Sequence, residues 1–200
     1  EPAAPTGILD GRTVLILGYG AIGRRVAVAC RALGMTTLAT RRRLDAPQMD
    51  GDTEVHPAAA LPDLLPRSDA VIVCLPHTPE TDGLLGAAEL ALLPAHAVLV
   101  NIGRGPVVDE KALYEALRDG RLWAAGLDVW YRYPPDEASR ADWPPSAWPF
   151  RELDNVIMSP HRGGDAAGIA RLRLTDLAGM LNAAAAGEAM ANRVDLDAGY

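Results

Sequence analysis

Short apolar runs alternate with segments of helical periodicity along most of the chain. Six of the runs predict strands, because their apolar residues follow one another without the strict alternation of a half-exposed strand. They cover residues 13–17, 36–40, 70–75, 97–101, 124–128 and 156–159. Helices are predicted at residues 22–33, 57–65, 87–92, 110–119 and 166–186. This alternation predicts an α/β fold with a doubly wound parallel sheet, in which ligands lie beyond the carboxyl ends of the strands.

Three glycines, Gly18, Gly20 and Gly23, follow the first predicted strand and lead into the first helix. At this spacing the first allows a tight turn, the second lets the backbone approach a pyrophosphate, and the third lets helix and strand pack closely. The pyrophosphate is then held by the N–H groups at the positive end of the helix that starts at Ala21. The pattern predicts a Rossmann-type dinucleotide-binding domain; the alternative is an ordinary strand-to-helix turn.

Three arginines, Arg41, Arg42 and Arg43, follow the second predicted strand. Proteins that prefer NAD(H) place a carboxylate there to bond the ribose 2′-OH. A guanidinium instead attracts a 2′-phosphate and can donate two hydrogen bonds to it, so we expect NADP(H) to be preferred. NAD(H) stays possible because Asp45 follows closely, and the arginines could also be only a solvated run of surface charge.

The composition fits a globular protein and narrows its partners. Of the 200 residues 49% are hydrophobic, and the net charge of −7 disfavours binding to nucleic acid. No apolar run approaches the ~20 residues that span a bilayer, so no membrane partner is expected. Cys30 and Cys74 lack metal-ligand spacing and are expected to be buried apolar residues rather than a disulfide. A cytoplasmic location agrees with this, and no metal site is expected.

Residues 130–150 interrupt the alternation and are rich in proline, tryptophan and charge. The segment is too long for a simple connector, and its tryptophans argue against disorder. We expect it to pack on a neighbouring subunit or to cover the active site. Residues 192–200 are expected to form a short tail strand whose partner lies outside the sheet.

Three polar side chains follow the later predicted strands and could carry chemistry. Arg104 has donors suited to a substrate carboxylate and carbonyl, and His161 can exchange a proton near neutral pH. Asp128 could hold the amide of a nicotinamide. Each has a purely structural alternative, respectively a salt bridge, a turn residue and a turn cap.

Together these motifs resemble the nucleotide-binding domain of the D-isomer-specific 2-hydroxyacid dehydrogenases. That family includes glyoxylate/hydroxypyruvate reductases, phosphoglycerate dehydrogenases and, more distantly, formate dehydrogenases. The resemblance extends from Leu9 to about Asp195. It is carried by Gly-Tyr-Gly-Ala-Ile-Gly at 18–23, Leu-Pro-His-Thr-Pro-Glu-Thr at 75–81, Asn-Ile-Gly-Arg-Gly-Pro-Val-Val-Asp at 101–109, Gly-Leu-Asp-Val at 126–129 and Ser-Pro-His-Arg-Gly-Gly at 159–164.

The resemblance implies hydride transfer between a nicotinamide coenzyme and a small 2-oxo or 2-hydroxy acid, in a homodimer that pairs through this domain. Arg104 would bind the substrate and His161 would be the acid/base. Ala21 and Ile22 would contact the pyrophosphate, and Arg41 falls where NAD-dependent members carry aspartate. The remaining positions that would line the coenzyme cleft are Pro76, Thr81, Ile102, Gly103, Arg104, Asp128, His161 and Gly163.

The chain departs from the family pattern at Tyr133, which stands where members usually have a glutamate that hydrogen-bonds the histidine. A neutral phenol can orient the ring but does not stabilise imidazolium. We therefore expect Tyr133 to orient His161 and the pH profile of catalysis to change. Asp136 or Glu137 could supply a carboxylate if the segment folds back.

A second departure is the extent of the chain. Family members carry a further segment before this domain, which forms most of a separate substrate domain. We therefore expect residues 1–190 to be the dinucleotide-binding domain, with most of the substrate domain absent, and residues 191–200 to be the C-terminal return segment into that domain. We expect the chain to be a piece of a longer protein, and a natural half is the alternative. Alone it should bind coenzyme and turn over poorly, because nothing positions the substrate or excludes water.

Three functions follow from these observations. The leading one is an NADP(H)-dependent reductase of glyoxylate, hydroxypyruvate or a similar acid. The second is an NADP(H)-binding sensor or interaction module without turnover, against which the presence of both Arg104 and His161 argues. The third is a domain for another nucleotide, such as S-adenosylmethionine or FAD, which the arginines disfavour.

Overall fold

The computed structural model describes residues 7–190 and 194. Contacts within the chain divide it into two compact units, Glu1–Pro160 and His161–Tyr200. The first unit carries the sheet, and the second carries the long C-terminal helix.

The described part of the first unit contains one eight-stranded sheet. Its strands are β1 Thr13–Leu17, β2 Thr36–Arg41, β3 Gln48–Asp50, β4 Thr53–Pro57, β5 Ala70–Val73, β6 Val98–Asn101, β7 Ala124–Leu127 and β8 Val156–Met158. Their order is β3-β4-β2-β1-β5-β6-β7-β8, and every pair is parallel except β3 with β4. The order reverses at β1, which has β2 on one side and β5 on the other. This confirms the predicted doubly wound Rossmann-type sheet and places its ligand crevice beyond β1.

Five α-helices are described: α1 Ala21–Ala32, α2 Leu61–Leu64, α3 Ala87–Ala91, α4 Glu110–Arg118 and α5 Ile169–Ala185. Local sequence fixes their ends. The Asp109 carboxylate accepts the Ala112 N–H at 2.7 Å and so caps α4. Gly34 has φ 80° two residues after α1, a left-handed conformation that ends the helix and turns the chain into β2.

The sheet is covered on both faces, as its apolar strands predict. Side chains alternate along β1, so that Val14 and Ile16 join one buried cluster while Leu15 and Leu17 join the other. The first cluster includes Ala27 and Cys30 of α1, and the second includes residues of α2, α3 and α4. Because both faces are buried, the strands are held in place, and so are their carboxyl ends, where the candidate site lies.

The β3–β4 hairpin was not predicted from the sequence. Its strands are short and polar, so they lack the apolar runs that reveal the other six. The Gly51-Asp52 turn between them, with Gly51 at φ 58°, is the signal that could have found it. The predicted helix at 57–65 was partly wrong, because β4 continues to Pro57 and the single turn α2 lies between two 3-10 turns, Ala58–Ala60 and Leu65–Arg67.

Residues 130–150 pack largely on their own unit. The Tyr114 ring of α4 stacks on Trp148 and meets Phe150 edge-on, at centroid distances of 5.3 and 5.5 Å. Ser146 Oγ donates to Glu110 Oε1 at 2.6 Å, which ties the segment to the start of α4. Trp143 stays exposed. The expectation that this segment covers the active site or contacts a second subunit remains a prediction.

The second unit contains α5, which confirms the helix predicted at 166–186. Its leucines are exposed, and none of its residues is buried. The predicted tail strand falls, except for Val194, outside the described residues. Within the described residues, no helix combines the length and apolar character needed to cross a membrane.

Candidate active site

The turn after β1 contains three glycines in three different surroundings. Gly18 has φ 97°, a left-handed conformation that other residues adopt only with strain. A Cβ on Gly23 would overlap the Gly18 carbonyl oxygen, so only glycine lets α1 pack this closely. A Cβ on Gly20 would meet nothing within 4 Å. The space above Gly20 is where a pyrophosphate would lie, and the turn therefore fits a dinucleotide.

The positive end of α1 faces this space. The first N–H groups of an α-helix have no acceptor within the helix, and in α1 they belong to Ala21, Ile22 and Gly23. Among the described residues no side chain caps them, and the first turn carries no acidic residue. Ile22 is 60% exposed. An anion can therefore reach these donors.

The three predicted arginines lie at the end of β2, next to the glycine turn. The Tyr19 N–H donates to the Thr40 carbonyl at 3.1 Å, which joins the turn to β2. Arg41 ends the strand, and all three guanidinium side chains are exposed, as is Asp45. The structure thus brings arginine, rather than a carboxylate, to the position beside the turn.

The segment after β5 borders the turn on its other side. A Cβ on Gly18 would lie 3.1 Å from the Cys74 carbonyl oxygen, which shows how closely the two segments approach. Thr81 Oγ1 donates to the Pro76 carbonyl at 2.7 Å and accepts the Thr78 N–H at 2.8 Å. Pro76 and Thr81 are therefore held together in this segment, and their predicted place in the coenzyme cleft remains a prediction.

The Glu80 carboxylate, which lies in this segment, interacts electrostatically with Arg42. Thr78 Oγ1 donates to Glu80 Oε2 at 2.7 Å. This hydrogen bond, and to a lesser extent the positive charge of Arg42, lower the pKa of the Glu80 carboxyl. Glu80 is exposed, so its charge and that of Arg42 meet in solvent at the mouth of the crevice.

Arg104 projects from a tight turn after β6. The Ile102 N–H donates to the Val73 carbonyl at 3.2 Å. The Asn101 side chain accepts the Gly103 N–H and donates to the Arg104 carbonyl, both at 3.0 Å. The Arg104 side chain is exposed, and its Nη1 donates to the Gly103 carbonyl at 2.7 Å. A guanidinium is thus presented at the same sheet edge as the glycine turn.

Asp128 follows β7 on this edge and is held by a short hydrogen-bond chain. Its N–H donates to the Asn101 carbonyl at 3.0 Å, and its Oδ1 accepts Ser159 Oγ at 2.6 Å. The Ser159 carbonyl in turn accepts Trp130 Nε1 at 2.8 Å. These contacts fix the Asp128 carboxylate at the end of β7, and its predicted role toward a nicotinamide remains a prediction.

Tyr133 and His161 belong to different units and are described separately. The Tyr133 hydroxyl accepts the Trp130 N–H at 3.1 Å, and the side chain is 47% exposed. His161 has φ 58°, a conformation that costs a non-glycine residue about 1–3 kcal/mol and that clusters at functional sites. The predicted roles of both residues, and of Gly163, remain predictions.

The two cysteines form no disulfide, as expected. Burial, and to a lesser extent Cys30, raise the pKa of the Cys74 thiol to about 11. Cys74 is therefore a protonated thiol at neutral pH and not a nucleophile, although it lies beside the crevice.

Sequence reasoning missed three polar side chains that shape this edge: Asn101, Ser159 and Glu80. The fold brings Ser159 to Asp128, whereas Asn101 and Glu80 bond residues two or three positions away, and none of these contacts produces a periodic pattern. For Asn101, the only available signal was a polar amide at the end of an apolar run and three residues before Arg104. Such a residue is expected to bond the following turn.

Comparison with known proteins places this geometry in a family. The model of the D-isomer specific 2-hydroxyacid dehydrogenase NAD binding domain matches residues 2–163. The D-3-phosphoglycerate dehydrogenase of Mycobacterium leprae is 35% identical over 198 residues, a match that covers 94% of this chain and 34% of that protein. The chain thus spans about a third of the length of this curated relative.

Two solved structures show the same fold over the whole chain. A D-isomer specific 2-hydroxyacid dehydrogenase from Xanthobacter autotrophicus Py2, in complex with NADPH and MES, superposes with a TM-score of 0.83 at 33% identity and is covered to 77%. An NADPH-dependent glyoxylate/hydroxypyruvate reductase from Sinorhizobium meliloti, in complex with NADP and sulfate, has a TM-score of 0.83 at 28% identity and is covered to 60%. Both matches cover 100% of this chain.

Proposed function

The chain belongs to the D-isomer specific 2-hydroxyacid dehydrogenase family, and we propose that it is the coenzyme-binding part of an NADP(H)-dependent reductase of small 2-oxo acids. Glyoxylate and hydroxypyruvate are the proposed substrates. The enzyme would work in the cytoplasm, to which the unpaired thiols of Cys30 and Cys74 are suited.

The observation that carries the proposal is the position of Arg41, Arg42 and Arg43 at the end of β2, beside the glycine turn. The ribose of a coenzyme whose pyrophosphate lies on α1 would extend toward this strand end. Guanidinium groups there favour a 2′-phosphate, whereas a carboxylate would repel it. The two structural neighbours described above are complexes with NADPH and NADP, which supports the same preference.

Arg104 and His161 would carry the reaction. The Arg104 guanidinium binds the substrate carboxylate and polarises the adjacent carbonyl. A bound coenzyme would supply the hydride that reduces the carbonyl carbon. His161 would give its proton to the carbonyl oxygen, so that the 2-oxo acid becomes a 2-hydroxy acid and the imidazole is left neutral. Asp128 would hold the amide of a bound nicotinamide.

Tyr133 is proposed to orient His161 without adding charge. A glutamate in its place would stabilise imidazolium and so raise the histidine pKa. Tyr133→Glu in the full-length protein is therefore expected to move the upper limit of the pH–rate profile for carbonyl reduction to higher pH. A profile that stays where it was would remove Tyr133 from the proposed machinery.

A homodimer that pairs through this domain is also proposed. The edge strand β8 supports it, because it leaves one side of its backbone unpaired within the sheet and exposes Ile157 to 78%. Analytical ultracentrifugation of the full-length protein tests it, with Ile157→Lys expected to yield monomers.

The test of coenzyme choice is a pair of titrations, with NADPH and with NADH. NADPH is expected to bind more tightly, and alanine at the arginine that contacts the 2′-phosphate should weaken NADPH roughly tenfold while leaving NADH unchanged. Arg41, Arg42 and Arg43 are changed singly. Arg151→Ala is the matched control, since Arg151 is exposed and lies just before β8, far along the sheet from β2. Tighter binding of NADH would contradict the proposal.

The alternative function is an NADP(H)-binding module without turnover, favoured by the neutral Tyr133 at the glutamate position. An assay of the full-length protein with a panel of 2-oxo acids separates the two functions. NADPH consumption supports the reductase, whereas coenzyme binding without consumption supports the module.

A further inference from the structure

The side chain of Asn101 is buried, and both ends of its amide are hydrogen-bonded. It is the last residue of β6 and only 1% exposed. Its Oδ1 accepts the Gly103 N–H and its Nδ2 donates to the Arg104 carbonyl, both at 3.0 Å. One amide thus bonds the peptide group that precedes Gly103 and the peptide group that follows Arg104.

The neighbouring glycines fix the same turn by close packing. A Cβ on Gly103 would lie 2.5 Å from the Leu75 carbonyl oxygen, and a Cβ on Gly105 would overlap the Trp130 carbonyl oxygen. The backbone before and after Arg104 therefore has little room to move. Of residues 101–105, only Arg104 is exposed, and its guanidinium donates to the Gly103 carbonyl of the same turn at 2.7 Å.

We propose that Asn101 is a positioning residue, which fixes the peptide from which the Arg104 guanidinium reaches the substrate. This inference rests on the proposed role of Arg104. The position of a guanidinium at the end of a long side chain depends on how firmly its backbone is held. A misplacement of about 1 Å in a site can lower the rate by a factor of about 100. The proposed contacts to the 2′-phosphate and the pyrophosphate lie at β2 and α1, while residues 102–104 would also border the coenzyme. We therefore expect Asn101 to affect the substrate more than the coenzyme.

Asn101→Asp is the sharpest variant. It keeps an acceptor for the Gly103 N–H but replaces the donor with an oxygen that faces the Arg104 carbonyl. Two acceptors at this distance repel each other, and the turn shifts at Arg104. Asn101→Ser is the second variant, since its hydroxyl can still accept from Gly103 but leaves the Arg104 carbonyl without the amide donor.

Asn155 offers a matched control within the same sheet. Its Nδ2 donates to the carbonyls of Leu117 and Trp123, at 3.2 and 3.0 Å. It precedes β8 and so lies at the opposite edge of the sheet from the carboxyl ends of the strands. Asn155→Asp removes backbone hydrogen bonds of the same kind and should lower the melting temperature comparably, without reaching the substrate.

The experiment measures the full-length enzyme with NADPH and glyoxylate. Asn101→Asp is expected to raise KM for glyoxylate by roughly tenfold or more, while the Kd for NADPH changes less than about twofold. Asn155→Asp should change neither. If the Asn101 variants weaken NADPH and glyoxylate by the same factor, the residue is merely structural and the inference is wrong.

A double-mutant cycle with Arg104→Lys completes the test. If Asn101 acts through Arg104, the two losses in kcat/KM are not additive, and Arg104→Lys costs several-fold less when Asn101 is already changed. Additive losses would overturn the role of Asn101 and leave the proposed function intact. If Arg104→Lys alone leaves KM unchanged, the proposed role of Arg104 fails, and the inference fails with it.

Discussion

The two ends of the candidate crevice are built in different ways. At the β2 end, Arg42 and Glu80 are exposed and interact through solvent. At the β6 end, a buried Asn101 amide and two glycines without room for a Cβ hold the turn that carries Arg104. If the proposed function holds, the first end would recognise its ligand by charge, and the second by the placement of its backbone.

The segment that follows each strand explains the difference, since β2 and β6 both lie between two parallel neighbours. The turn after β6 packs against the segments that follow β5 and β7, at Leu75 and Trp130. β2 is followed by the exposed segment that leads to the β3–β4 hairpin, where side chains meet water. Charge in solvent is easily changed by single substitutions with little effect on folding, whereas a buried turn tolerates few.

The largest expected contrast is between Gly103→Ala and Gly20→Ala. The new methyl group at Gly103 would press on the Leu75 backbone, so the free energy of unfolding should fall by about 2–3 kcal/mol. At Gly20 the same change meets open space and should alter stability by less than about 1 kcal/mol, while weakening NADPH. Urea unfolding followed by tryptophan fluorescence measures both. If the two variants unfold with the same free energy, Gly103 is not more tightly packed than Gly20 and the comparison fails.

A smaller contrast compares one hydrogen bond at each end. Ser159→Ala removes the partly buried bond to Asp128, and the free energy of unfolding should fall by about 1–2 kcal/mol. Thr78→Val removes the exposed bond to Glu80 and should change it by less than about 0.5 kcal/mol. Urea unfolding is again the measurement. A larger loss for Thr78→Val would show that the exposed end contributes more to the fold than its burial indicates.

The difference between the exposed β2 end and the buried β6 end also explains which features could be predicted from the sequence. The glycine turn and the arginines are local patterns, so their positions were predictable, as were the strands buried on both faces. The β3–β4 hairpin was missed because residues such as Glu54 and His56 make its strands polar. Ser159 was missed because it meets Asp128 only when β7 and β8 lie side by side. Asn101 was missed although its bonds to Gly103 and Arg104 are local, because a single polar residue at the end of a strand produces no periodic pattern.

Added salt should weaken coenzyme binding at the β2 end but leave the hydrogen bonds near the β6 end unchanged. NADPH affinity is expected to fall roughly threefold between about 50 and 200 mM NaCl, because ions screen the exposed arginines from the 2′-phosphate. NADH, which lacks that phosphate, should be affected less. The stability loss in Ser159→Ala should not depend on salt, since its hydrogen bond is partly buried. Equal salt sensitivity of the two coenzymes would contradict recognition by charge at the β2 end.

The smallest expected effect is that of Glu80→Gln on NADPH. The Glu80 carboxylate lowers the positive potential around Arg42, so its removal should tighten NADPH by roughly threefold and change NADH little. Because its pKa is lowered, the Glu80 carboxyl is charged at pH 7, so the difference in NADPH affinity between the variant and the wild type is fully present there. The difference disappears only as the pH falls through the lowered pKa, where the wild-type carboxyl becomes neutral as well. Glu152→Gln, an exposed change of the same chemistry beside β8, is the control. Weaker NADPH binding in Glu80→Gln would mean that the carboxylate aligns Arg42 for the phosphate instead of competing with it, and the β2 end would then share the fixed geometry of the β6 end.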